Sequence, residues 1–119
     1  MVNVDIRSSK SKVYFLKGIK AVIGVMFRNI KEGEIYVLDI GEERKEIIHT
    51  FFCLKPIDIF IFDSNFNLIE AHKNVKPFRI IVPKKKFRYV VEGLDLSLDR
   101  IREEVQSSLV SRVGYLHLK

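Results

Sequence analysis

The sequence predicts a mainly β fold of the α+β kind, a compact β-sandwich or partly open barrel of about seven to nine short strands with one or two short helices. Three observations point there. Ile and Val together number 28 of 119 residues, while Ala occurs only as Ala21 and Ala71; β-branched side chains lose rotamer freedom in helices and pack well on pleated surfaces. Short apolar runs recur between Gly, Pro, Asn and Asp turn signals. Near the C-terminus, a capping residue precedes apolar residues at helical spacing.

Size and composition bound the object further. A chain of 119 residues with 47% hydrophobic residues, nine Phe and four Tyr has the material for one domain with its own core. The single Cys53 excludes an internal disulfide framework and an all-cysteine zinc site. The longest charge-free run, Ile47 to Leu54, has eight residues, against about 18 for a membrane span. The first residues, Met-Val-Asn-Val-Asp-Ile-Arg, hold no apolar signal segment. The expectation is a cytoplasmic single domain over residues 1–119, with no membrane partner, no metal and no cofactor.

Val2–Ile6 and Val13–Leu16 are strand candidates joined by a turn at Ser8 to Lys12. Ile19 to Arg28 is nearly all apolar and is expected to form a short helix ending near Asn29, weakened by Gly24. Glu34 to Ile40 alternates and lies between Gly33 and Gly41, which predicts a strand followed by a charged turn at Glu42 to Glu46. Ile47 to Leu54 is expected to be a strand stopped by Lys55-Pro56.

Ile57 to Phe62 is apolar at every position except Asp58, which predicts a central strand covered on both faces. Asp63 to Asn67 is turn chemistry, and Leu68 to His72 returns as its hairpin partner. Phe78 to Val82 and Phe87 to Val91 are two further strands, the second a candidate exposed edge. Ser97 suits an N-cap, with Leu98, Ile101 and Val105 at helical spacing behind it. Val110 to Leu118 has strand or tail character.

The net charge is +6, of which residues 61–119 hold +4. Lys73, Lys76, Arg79, Lys84, Lys85, Lys86 and Arg88 fall within one window, Lys73 to Arg88, that holds no acid. Such a run attracts phosphate backbones, with Phe78 and Phe87 available for base stacking. It equally serves as a solvated turn and edge strand protected by lysines, and that bland role outweighs a nucleic-acid site by about two to one, because local basicity is unspecific.

Candidate chemistry centres on Ile48 to Asp63. His49 is a polar group within an apolar run, and Asp58 is an acid within the most apolar strand; a buried carboxylate requires hydrogen bonds or a cation. His49, Lys55 and Arg28 are its candidate partners. An imidazole held by an acid beside Arg28 has the form of a site, but without a nucleophile signature a satisfied structural pair is the favoured reading. Lys76-Pro77-Phe78-Arg79 is a rigid turn with an aromatic and two cations, suited to a pocket rim. No nucleophile elbow, phosphate loop or dinucleotide fingerprint is present. His49, His72 and His117 lack metal-ligand spacing, and Cys53 between Phe52 and Leu54 suits core filling better than a reactive thiol.

Ile48-His49-Thr50-Phe51-Phe52, followed by Pro56-Ile57-Asp58-Ile59-Phe60-Ile61-Phe62-Asp63, resembles the signature of the family called domain of unknown function 192. Gly24-Val25-Met26-Phe27-Arg28, Lys76-Pro77-Phe78-Arg79 and Phe87-Arg88-Tyr89-Val90-Val91-Glu92-Gly93 are similar to three further blocks of that family, in the same order, over about residues 13–95. Residues 96–119 are then a C-terminal extension. The resemblance implies a compact β-rich domain and a cluster of Met26, Arg28, His49, Asp58 and Glu92 near one end.

A non-enzymatic binding or structural module ranks first. Its pocket would draw on Met26, Arg28, His49, Asp58, Lys76, Phe78 and Glu92, and would suit a small anionic ligand. A nucleic-acid binder using Lys73 to Arg88 ranks second. An enzyme with a His49/Asp58 acid–base pair comes last, and no catalytic residue is assigned.

Overall fold

The structure is a computed structural model that describes residues 12–17, 29–51 and 53–106. Among the described residues seven strands form two sheets: β1 (Lys12–Lys17), β2 (Glu34–Arg44), β3 (Ile48–His49), β4 (Ile57–Phe62), β5 (Leu68–Val75), β6 (Ile80–Ile81) and β7 (Phe87–Gly93). The main sheet has the order β1-β2-β7-β4-β5, and β3 pairs with β6 in a small second sheet. Among these described strands β1 and β2 run parallel, and the other pairs are antiparallel. The mainly β expectation holds, and among the described residues the sheets do not close into a barrel.

β4 shows why the sequence folds this way. All six of its residues are buried, since the strand lies between β7 and β5 and both faces are covered. Ile57, Ile59 and Ile61 join Tyr36, Leu38, Val90 and Ile30 on one face of the sheet. Phe60 and Phe62 join Ile35, Val37 and Val91 on the other, under Leu96, Ile101 and Val105. A strand covered on both faces calls for apolar residues on each, and Asp58 is the one polar exception in β4. Fully burying each such side chain stabilises by roughly 1.5–3 kcal/mol.

The first face is covered by the small sheet, whose Ile81 and Ile48 point into it. The second is covered by α1 (Leu98–Ile101) and the π-helical turn Arg102–Gln106 that continues it. Ser97 caps α1 as expected: its backbone is extended at φ −135° and its side chain accepts the Arg100 N–H at 3.2 Å. The Asp63–Asn67 turn also forms as expected. Asp63 Oδ1 accepts from the Asn65 and Asn67 amides, both at 2.9 Å, and Phe66 stacks on Phe62 with 4.1 Å between ring centroids.

Four boundaries differ from expectation. The Glu42 to Arg44 stretch, expected as a turn, continues β2: a register shift lets Arg44 pair with Phe87, and Gly41 at φ +97° supplies the bend. The Ile47–Leu54 strand shortens to Ile48–His49, because Thr50 turns the chain by accepting the Cys53 amide at 3.2 Å. The Phe78–Val82 strand shortens to Ile80–Ile81, since Phe78 sits at φ +63°. Phe87–Gly93 is not an edge but lies between β2 and β4, so it offers no pairing to a second copy. The expected Val2–Ile6 strand, the Ile19–Arg28 helix and the Val110–Leu118 tail lie outside the described residues.

Candidate functional site

Asp58 is buried, but its partner is not His49. Its Oδ1 accepts the Asn74 amide at 2.7 Å, and its Oδ2 accepts the Leu96 amide at 2.8 Å and pairs with Lys73 Nζ at 2.8 Å. Lys73 also donates to the Leu96 carbonyl. Burial pushes the Asp58 pKa up, but the Lys73 and backbone hydrogen bonds outweigh it and hold the group below the usual carboxylate range. Asp58 thus ties β5 and the approach to α1 onto β4.

Glu92 lies on the opposite face. Alternation along β7 puts Val91 with the helix-side core and Glu92 with Val90 on the small-sheet side. Glu92 is 6% exposed, and burial raises its pKa to about 7. Burial, then the Glu92 charge, pushes the nearby Cys53 thiol up to about 11, which keeps it protonated and unreactive. The structure therefore does not bring Asp58, Glu92 and His49 into one cluster. Met26 and Arg28 lie outside the described residues.

Of the seven basic residues in the Lys73–Arg88 window, two are engaged in the scaffold. Lys73 serves Asp58, and Arg88 makes a two-pronged bond to Asp39, Nε to Oδ1 at 2.9 Å and Nη2 to Oδ2 at 3.1 Å. Phe87, a candidate stacking residue, is 1% exposed. Lys76, Arg79, Lys84, Lys85 and Lys86 remain exposed and make no ion pair among the described residues.

His49, Phe78 and Lys76 come together at the small sheet. His49 lies opposite Ile80, and Ile48 opposite Ile81; with Ile48 and Ile81 turned to the core, His49 and Ile80 face outward. Ile47, Phe78, Ile80 and Val82 are all more than half exposed. The His49 ring lies 4.9 Å from Phe51, and Phe51 lies 6.2 Å from Phe78. Exposed large apolar residues cluster here: apart from Tyr14, every one among the described residues lies in 47–54 or 78–82.

One residue assembles this face. Thr50 is 1% exposed. Its hydroxyl donates to the Lys76 carbonyl at 2.7 Å and accepts the Arg79 amide at 2.9 Å. Its backbone donates to the Arg79 carbonyl at 2.9 Å and accepts the Phe78 amide at 3.0 Å. These bonds lock the Lys76–Arg79 turn and hold Phe78 in the left-handed region, with its ring in solvent. Sequence reasoning missed Thr50, which stood out only as a polar residue inside an apolar run.

Two concavities adjoin these elements. A charged cleft of about 700 Å³ at the β1–β2 end is lined by Lys12, Lys31, Glu34, Asp95, Arg100 and Glu103, among others. A shallow hollow of about 390 Å³ beside β6 is lined by His72, Lys76, Arg79 and Ile80, among others. Among the described residues, no three His, Cys, Asp or Glu side chains converge for a metal, and no helix is long and apolar enough to cross a membrane.

The fold has known counterparts. A candidate transcription regulator of Sinorhizobium meliloti 1021 superposes with a TM-score of 0.64 at 21% identity, covering 78% of this chain and 73% of that one. A protein of unknown function from Novosphingobium aromaticivorans gives 0.64 at 14% identity, covering 87% and 69%. At these identities the likeness is one of fold.

No protein-family model matches the chain. Curated relatives do. A UPF0127 protein of Pyrococcus horikoshii is 36% identical over 75 residues and one of Pyrococcus abyssi 39% identical over 75. Each match covers 63% of this chain, and 64% and 63% of the relatives, less than two thirds of either. A UPF0127 protein of Pyrococcus furiosus is 31% identical over 91 residues, covering 76% of this chain and 78% of that relative. On that match the chain belongs to UPF0127, an uncharacterised protein family.

Proposed function

We propose that the protein is a non-enzymatic binding module whose recognition surface is the outward face of the small sheet, with Phe78 at its centre. The observation that carries this reading is the conformation of Phe78, a non-glycine residue at φ +63° that is 68% exposed. A left-handed backbone costs an ordinary residue about 1–2 kcal/mol, and an exposed ring recovers little of that by burial. Strain kept without a packing return points to a role outside the fold. Of the pocket residues expected from the sequence, His49, Lys76 and Phe78 belong to this surface, while Asp58 and Glu92 serve the interior.

The catalytic alternative loses its acid, because the Asp58 carboxylate is occupied by Lys73, Asn74 and Leu96. The nucleic-acid alternative retains Phe78 and five cations. It loses Lys73, Arg88 and Phe87 to the scaffold.

The test is an amide NMR titration of labelled protein with three probes in turn: anionic bicelles, a short single-stranded RNA and an acidic amphipathic peptide. Shifts from any probe centred on residues 47–51 and 76–82 support this surface. Shifts centred on the charged cleft around Lys31 to Glu34 would relocate the site and overturn the proposal.

A further inference from the structure

We infer that the Phe78 face docks onto an anionic lipid surface; this rests on the surface assignment above and names its partner. Among the described residues no helix is long and apolar enough to cross a membrane, but contact with a bilayer face has different requirements: exposed apolar side chains that enter the acyl boundary and cations that meet the headgroups. Both are here. Ile47, Ile80 and Val82 accompany Phe78 on the outside, with exposures of 58–68%. Burial alternates along both segments: Ile47 and His49 are exposed around half-buried Ile48, and Ile80 and Val82 around buried Ile81.

Cations flank this apolar strip at both ends. Lys76 precedes Phe78, Arg79 lies between Phe78 and Ile80, and Lys84, Lys85 and Lys86 follow Val82. The shallow hollow beside Ile80, about 390 Å³ and lined by His72, Lys76 and Arg79 among others, is large enough to admit a headgroup phosphate. The acids nearest in the chain are already engaged: Glu46 pairs with Arg44 at 3.0 Å, and Glu70 accepts the Lys84 amide at 2.6 Å and pairs with His72 at 2.9 Å. With Glu46 offset by Arg44, five cations stand against the single charge of Glu70, and the balance around the strip is positive.

The composition of the face selects lipid over the other polyanions. Base stacking uses aromatic planes, yet Ile47, Ile80 and Val82 are aliphatic and offer none. Protein interfaces are depleted in Lys, yet four of the five flanking cations are Lys. A bilayer uses both the aliphatic side chains and the lysines.

The test is vesicle flotation of the full chain with equimolar phosphatidylglycerol and phosphatidylcholine, with phosphatidylcholine alone, and with inorganic phosphate or an oligo-dT strand as competitor. Wild type is expected to float with the anionic vesicles, at least about tenfold more tightly than with neutral ones, and to release at high salt. Lys84→Gln, Lys85→Gln and Lys86→Gln are each expected to weaken binding about fivefold. Phe78→Ser with Ile80→Ser is expected to weaken it at least about tenfold at unchanged charge, with unaltered circular dichroism.

Absence of flotation, or displacement by phosphate at millimolar level, would overturn the lipid inference. If the oligo-dT strand binds through residues 76–82 while vesicles are ignored, the surface assignment stands and the lipid inference fails. If the Phe78/Ile80 double variant floats as wild type does, both fail.

Discussion

The Phe78 amide donates to the Thr50 carbonyl at 3.0 Å, and this bond joins two turns 28 positions apart in the chain into one exposed aromatic face. The Thr50 hydroxyl bonds on either side of it, at Lys76 and Arg79. A buried polar side chain thus fixes the backbone of an exposed apolar one. The binding surface is specified from inside the fold.

Thr50→Val keeps the shape and removes both hydroxyl bonds. It is expected to destabilise by about 1–3 kcal/mol, read by urea denaturation. It should also broaden the amide signals of residues 76–79. Unchanged stability with sharp signals would show that the backbone bonds alone hold the turn.

Glu92 makes stability depend on pH. Its folded pKa of about 7 lies above the ordinary 4.5, so the native state holds the proton more tightly than the unfolded chain. Stability is complete below about pH 4.5 with respect to this group and falls as pH rises through 7, by about 3 kcal/mol in all. Glu92→Gln is expected to remove that decline and to be more stable than wild type at pH 8. Urea midpoints at pH 5, 6.5 and 8 provide the check.

Asp58 works in the opposite sense. Its folded pKa is lowered, so its contribution is present above the unfolded pKa of about 4 and is lost as pH falls through the lower folded value. Asp58→Asn at pH 7 is expected to cost about 1–3 kcal/mol and to speed hydrogen exchange at Leu96 and Ile101, where α1 begins. Unchanged exchange there would show that α1 does not depend on this tie.

Gly93 has no space for a side chain. A Cβ there would lie 2.8 Å from the Glu34 carbonyl oxygen and 3.1 Å from Leu96 Cδ2. Since the first contact is backbone, Gly93→Ala should part β2 from β7 locally and destabilise by about 1–3 kcal/mol. A neutral substitution would mean that the Glu34 strand end yields freely.

Cys53 should be slow to alkylate. With its thiol raised to about 11, only about one molecule in a thousand is thiolate at pH 8. Iodoacetamide is expected to label the folded protein about a hundredfold more slowly than the urea-unfolded chain. Equal rates would place Cys53 in solvent.

What was legible in the sequence was local. Ile57 to Phe62 announced a doubly covered strand because apolar residues fill both of its faces, and Ser97 announced a helix because capping acts over three residues. The continuation of β2 through Glu42 to Arg44 was hidden, since charged residues resemble a turn until Phe87 appears opposite Arg44. Asp58 was recognised as an acid in need of partners, but Lys73 and Leu96 reach it only through the sheet and the chain's return from β7. Phe78 was visible as an aromatic after a proline. Its left-handed backbone was not, because that conformation is imposed by Thr50.

The most direct measurement is the stability of Phe78→Asn. Asn tolerates the left-handed region far better than Phe, and the ring it replaces is mostly in solvent. If Phe78 is held there for recognition, the variant should be more stable than wild type by about 1 kcal/mol in urea unfolding. A variant less stable by that amount or more would show that the ring supports the fold, and would contradict a binding face built around it.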